Sequence, residues 1–222
     1  DYTDPLGVRN RGTAATFTSV APAVNNIGTG SLYKGVLLNE NPTFDTTKAV
    51  YKVRALIMQP VQGQSYHAIF QGWSYNTNEA TLQQVGSNPT GYDQKAVVFK
   101  LAGATVTALY TTTNITSSVT IPAGTYTMAG TLTIASGATL TLSPGTTLQF
   151  PANASLVVNG VLVANGTSGQ RITFTKSGSS NWTGIQLTNA NGSSITYTTI
   201  SNAWQPVKAT TTTSFTMSND SV

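Results

Sequence analysis

Leu132, Leu140, Leu148 and Leu156 stand eight residues apart, and this spacing constrains the fold more than any other feature of the chain. Each leucine leads a short β-rich stretch: Leu132-Thr133-Ile134, Leu140-Thr141-Leu142, Leu148-Gln149-Phe150 and Leu156-Val157-Val158. Tight-turn residues separate them, among them Ser136-Gly137, Ser143-Pro144-Gly145 and Ala152-Asn153. Leu132 and Leu156 are 24 residues apart, and Gly130-Thr131-Leu132-Thr133-Ile134 is echoed by Ala154-Ser155-Leu156-Val157-Val158. Three short strands per 24 residues predict a solenoid, in which each coil buries its apolar side chains on the next. The stretches 172–174, 185–187 and 195–197, then Val207 and 215–217, carry the pattern onward.

The segments VTIPAG (119–124), TLTLSPGTTLQF (139–150), LVVNGVLVANGT (156–167) and ITFT (172–175) resemble secreted or surface right-handed parallel β-helix repeat proteins. WTGIQL (182–187) and SITYTTISNA (194–203) extend the resemblance, which covers 119–218. It implies stacked parallel strands with Leu, Ile, Val and Phe inside and Thr outside, where threonine supplies polarity without charge. Such modules occur in surface proteins, adhesins, viral fibres and polysaccharide-degrading enzymes, so the resemblance carries a fold more than an activity. It does not extend to residues 1–110.

The first half reads differently. Residues 1–31 form an expected extended arm with little core of its own. Within it Ala14, Ala15, Thr16, Phe17, Thr18, Ser19, Val20, Ala21, Pro22, Ala23 and Val24 make a candidate donor strand. Residues 32–113 are expected to form an antiparallel β-sheet or sandwich domain, with strands over 32–38, 49–58, 65–73, 95–101 and 105–110. In the second of these, Tyr51, Val53, Ala55 and Ile57 alternate with Lys52, Arg54 and Leu56, the period of a half-buried strand. Residues 114–222 form the expected parallel β-helix. The fold class is therefore all-β.

Charge narrows the function classes. Asp, Glu, Lys and Arg make up 8% of the chain, against about 25% in ordinary soluble domains. The net charge is +4, but the eleven basic residues are scattered. Nucleic-acid binding needs a dense basic face and is not expected. Hydrophobic content of 39% suffices for a core, and no apolar run approaches the length of a membrane span. Cysteine is absent, which removes disulfides, thiolate metal sites and thiol nucleophiles. The chain opens at Asp1 without Met, so either a secretory segment has been removed or the chain has been trimmed, and the low charge, absent Cys and abundant Thr, Ser and Asn suit an extracellular or cell-surface setting.

Catalytic chemistry finds few residues to use. Between 115 and 222 the only acid is Asp220, and there is no histidine. Polysaccharide lyases and hydrolases built on β-helices need grouped carboxylates for calcium or for paired acid–base work. The sole histidine, His67, lies in an expected strand, without a nucleophile elbow or a glycine-rich phosphate loop. Neither an enzyme, nor a cofactor, nor a metal site is expected. Six N-x-S/T sequons, at Asn114, Asn153, Asn165, Asn181, Asn191 and Asn219, are candidate glycosylation sites. Trp182, Tyr197 and Trp204 are candidate aromatics for stacking a glycan, with Trp182 alternatively a packed turn residue. The combined expectation is a filament, sheath or surface-appendage subunit that assembles with copies of itself by strand addition or β-helix end contacts. A glycan-binding adhesin or viral-fibre module is the alternative, and a polysaccharide-cleaving enzyme a more distant one.

Overall fold

The computed structural model describes residues 32–35, 50–78, 80–84, 87–88, 90–99, 106–212 and 214–222. The described secondary structure is entirely β, and no described helix is long and apolar enough to cross a membrane. The chain divides into two compact units. The first comprises Asp1–Leu56 and Gly72–Leu109, the second Ile57–Gln71 and Tyr110–Val222.

The strands of the first half are β1 (Leu32–Gly35), β2 (Val50–Leu56), β3 (Met58–Pro60), β4 (His67–Tyr75), β5 (Ala80–Gln84), β6 (Tyr92–Phe99) and β7 (Val106–Thr111). Four of them build an antiparallel sheet of order β1-β2-β6-β5 in the first unit, and the other three a sheet of order β3-β4-β7. The expected single strand over 49–58 is two strands with a bend at Ile57. The bend has a packing cause: Met58 is buried in the core of the second unit and Ile57 packs against that core. Strand β5 was not expected. Its Ala-Thr-Leu-Gln-Gln sequence alternates over only four residues and holds no β-branched or aromatic apolar residue, and its place comes from its register on β6, Gln84 opposite Lys95.

The second unit is a parallel β-solenoid of about five coils. Its strands are β8 (Asn114–Ile115), β9 (Val119–Ile121), β10 (Gly124–Thr127), β11 (Leu132–Ile134), β12 (Thr139–Leu142), β13 (Thr146–Phe150), β14 (Ser155–Val158), β15 (Val161–Asn165), β16 (Ile172–Lys176), β17 (Gly184–Thr188), β18 (Ser193–Thr196), β19 (Thr198–Ile200), β20 (Val207–Thr210) and β21 (Phe215–Ser218). They form three sheets of order β20-β17-β14-β11-β8, β21-β18-β15-β12-β9 and β10-β13-β16-β19.

Register turns the leucine spacing into geometry. Leu132 stands beneath Leu156, Thr133 beneath Val157 and Ile134 beneath Val158, the echo seen in the sequence. A strict period would next place Ser180 above Leu156. The partner is instead Ile185, because the turns 166–171 and 177–183 both lengthen the coil, so that Phe174 already stands above Leu148 at a spacing of 26. Inward stacks are apolar, as in Ile121–Leu142–Ala164–Ile195 and Leu148–Phe174–Ile200, and all these side chains are buried. Polar groups inside are satisfied locally. The Thr146 hydroxyl donates to the Ser143 carbonyl at 2.7 Å, and the Thr198 hydroxyl to the Ala164 carbonyl at 3.1 Å.

The first coil is covered from within the same unit. Residues 57–71 fold back as a hairpin, with Met58 opposite Ile69 and Pro60 opposite His67. Met58 and Ile69 join the solenoid core. The Gln71 side-chain oxygen accepts the Thr116 amide N–H at 2.8 Å, and the Ser117 hydroxyl donates to the Gln71 carbonyl at 2.6 Å. His67 lies edge-on to Tyr126, ring centres 5.4 Å apart, and its Nδ1 accepts the Thr127 amide N–H at 3.3 Å. Residues 57–71, expected within the 32–113 domain, thus serve as the solenoid's N-terminal cap.

Candidate functional site

The coil of β20 and β21 differs from the coils beneath it. It keeps their register, with Val207 on Ile185, Phe215 on Ser193 and Met217 on Ile195. Ser193 and Ile195 are buried, yet Phe215 and Met217 above them are 36% and 37% exposed. The two strands are the outermost of their sheets among the described residues. Such an edge presents a row of backbone donors and acceptors to an extended segment.

Two polar side chains fasten this coil. Asp220, the solenoid's single acid, accepts the Thr198 amide N–H on Oδ1 at 2.7 Å, while its Oδ2 is buried with no hydrogen-bond partner. Arg171 ties three successive coils. Its Nε donates to the Thr199 hydroxyl at 3.1 Å, and its Nη2 donates to the carbonyls of Thr198 at 2.7 Å and Asn219 at 2.9 Å. The backbone of Ser221 bridges to Thr199, so the third face of this coil is also begun in register.

The candidate aromatics separate. Trp182 is fully buried, its ring stacked on Phe150 at 4.8 Å and 12°, with the indole N–H donating to the Ser201 carbonyl at 2.9 Å. It is a packed turn residue and cannot stack a ligand. Tyr197 is half-buried at a left-handed backbone position, φ 48°. Trp204 is 72% exposed. No three-ring platform therefore exists. Of the sequon asparagines, Asn114, Asn153, Asn165, Asn191 and Asn219 are exposed and Asn181 is half-buried. Asn165 accepts the Thr196 hydroxyl at 3.1 Å, and Asn191 accepts the Ser214 amide N–H at 3.1 Å. The candidate donor strand, Ala14 to Val24, lies outside the described residues.

Among the described residues no three His, Cys, Asp or Glu side chains are grouped. Arg171, Phe215, Met217 and Asp220 are the site residues to which sequence reasoning gave no role in a site. The signal for Phe215 was its place in the repeat, whereas nothing in the repeat marks Asp220 as a clasp. Compared with known proteins, the chain matches no family model, no curated protein and no solved structure.

Proposed function

We propose that the chain is a structural subunit of an extracellular filament or surface appendage that joins copies of itself through the coil of β20 and β21. The observation that carries this reading is the partial exposure of Phe215 and Met217 at inward positions that are sealed in the coil below. Burying such a side chain fully contributes about 1.5–3 kcal/mol, and an added strand contributes main-chain hydrogen bonds as well. The low charge and the threonine-rich exterior favour close approach without ionic repulsion. Extracellular placement rests on the resemblance and the Cys-free, Thr/Ser/Asn-rich composition. The reading assigns no catalytic step to the chain.

Electron microscopy and sedimentation across a concentration series test the reading. Assemblies that grow with concentration are expected, and a monodisperse monomer at every concentration would overturn it. The adhesin alternative is favoured by the exposure of Trp204. It expects glycan-array binding that Trp204→Ala abolishes.

A further inference from the structure

The sequence holds three Asn-Gly steps, Asn159-Gly160, Asn165-Gly166 and Asn191-Gly192, and all three lie between solenoid strands or at their ends. Such a step carries a chemistry of its own. The glycine nitrogen can attack the asparagine side-chain carbonyl carbon, and the missing glycine side chain leaves that nitrogen the least hindered of any residue. A bond forms between the glycine nitrogen and Cγ, the bond from Cγ to Nδ2 breaks, and the glycine N–H proton leaves with the amide as ammonia. Water then opens the cyclic imide at one carbonyl or the other, giving aspartate or isoaspartate. Water is the only co-reactant. The step needs the glycine N–H released from its hydrogen bond and room for the glycine to turn.

The fold grants these conditions unequally. Gly160 is buried, and a Cβ on it would collide with the carbonyl oxygens of Ala135 and Ala138. Gly166 is half-buried, and a Cβ on it would lie 2.5 Å from the Tyr197 carbonyl oxygen. Gly192 is exposed, with φ 86°, and beyond its chain neighbours nothing lies within 4 Å of the same position. The hydrogen bonds on the three N–H groups differ in the same sense. Gly160 donates to the Ile134 carbonyl at 3.2 Å and Gly166 to the Thr196 carbonyl at 2.8 Å. Both acceptors belong to strands paired along both edges, β11 and β18. Gly192 donates to the Ser214 carbonyl at 2.9 Å, and Ser214 leads into β21, the outermost strand of its sheet among the described residues. Local opening starts where the fewest contacts hold the chain, so the Gly192 N–H is released most often. Asn191 and Gly192 also pin Ser214 at two points, because the Ser214 amide N–H donates to Asn191 Oδ1 at 3.1 Å. Imide formation removes the Gly192 N–H, and isoaspartate lengthens the backbone by one atom, so each breaks that two-point hold.

We infer that Asn191 is a spontaneous modification site, the step at which the folded chain deamidates, and that its isoaspartate form releases the start of β21. The inference uses no contact between copies and stands apart from the assembly reading. The test uses the full chain, made in a host without N-glycosylation so that Asn191 carries no glycan, and aged at body temperature in mildly alkaline buffer. Peptide mass mapping follows conversion at the three steps, and an isoaspartyl methyltransferase marks the isoaspartate. Conversion at Asn191 at least about tenfold faster than at Asn159 and Asn165 is the expected result. In the urea-unfolded chain that protection is gone, and the three rates should converge. Amide hydrogen exchange on the isoaspartate fraction should rise over 214–218, while β11 and β14 keep their protection. Asn191→Asp keeps an acceptor for the Ser214 N–H and an ordinary backbone, so it should leave exchange over 214–218 unchanged. Conversion at Asn191 no faster than at Asn159 and Asn165 in the folded chain would overturn the site. Unchanged exchange over 214–218 in the isoaspartate fraction, or equal loosening in Asn191→Asp, would overturn the release.

Discussion

Trp182 and Trp204 share a chemistry and differ in everything else. Trp182 is stacked on Phe150, lies 6.5 Å from Phe174 and is tied to Ser201, while Trp204 is largely in solvent. Trp182→Ala removes a large buried side chain and orphans the Ser201 carbonyl, so it should cost about 3–5 kcal/mol. Trp204→Ala should change stability by less than about 0.5 kcal/mol. Urea unfolding of the two variants checks the contrast, and equal losses would refute it. His67 provides a pH prediction. Burial pushes its pKa below the ordinary 6.5, and protonating Nδ1 would set an N–H against the Thr127 amide N–H that it now accepts. A base whose folded pKa is depressed takes up its proton first in the unfolded chain. Stability from this group is therefore complete above about pH 6.5 and declines as pH falls towards the folded pKa. The urea midpoint should drop between pH 8 and pH 5, and His67→Gln should flatten that drop.

At the scale of elements, the coils approach closely enough to dictate single residues. Gly184 opens β17 with φ 124°, and a Cβ there would lie 1.8 Å from the Gln205 carbonyl oxygen. Gly184→Ala must push the segment leading into β20 away, and should cost more than about 2 kcal/mol. Gly178 faces open space without a positive φ, so Gly178→Ala should be close to neutral. Thermal unfolding of the pair measures the difference. The stacking of β11 and β14 was legible because Leu132 and Leu156 sit at the same phase of a regular repeat. The later coils were legible only as strand-like stretches, since the lengthened turns at 166–171 and 177–183 break the period. The cap was not legible at all. Residues 57–71 carry two short apolar stretches, Ile57-Met58 and Ala68-Ile69-Phe70, and such a stretch says that side chains are buried without saying against what. The same limit hid the hydrogen bond from the Trp73 indole N–H to Asp93: the two residues are twenty apart, and only the tertiary fold brings them together.

At the scale of the molecule, the two outer coils of the described solenoid are not equivalent, and under the proposed assembly this asymmetry restricts how copies can join. The hairpin 57–71 seals the first coil, whereas the coil of β20 and β21 leaves Phe215 and Met217 partly exposed. Coil-on-coil stacking of one copy's last coil against another's first coil is blocked by that hairpin. Two last coils can still meet about a twofold axis, but an isologous contact closes as a dimer and does not propagate. A filament therefore needs a second, unlike contact, and the candidate donor strand from Ala14 to Val24 is the segment proposed to make it. Strand donation is heterologous, so it propagates from copy to copy. The two modes give different assemblies. Deleting residues 1–24 should abolish long assemblies and leave a species no larger than a dimer, with the β circular-dichroism spectrum retained. Introducing Phe215→Asp together with Met217→Asp should leave only monomer, because both modes use the edge of the last coil. Sedimentation velocity on the three chains separates these outcomes. Filaments that persist after the deletion would remove the donor strand from the mechanism, and filaments that persist in the double variant would move the contact away from the last coil altogether.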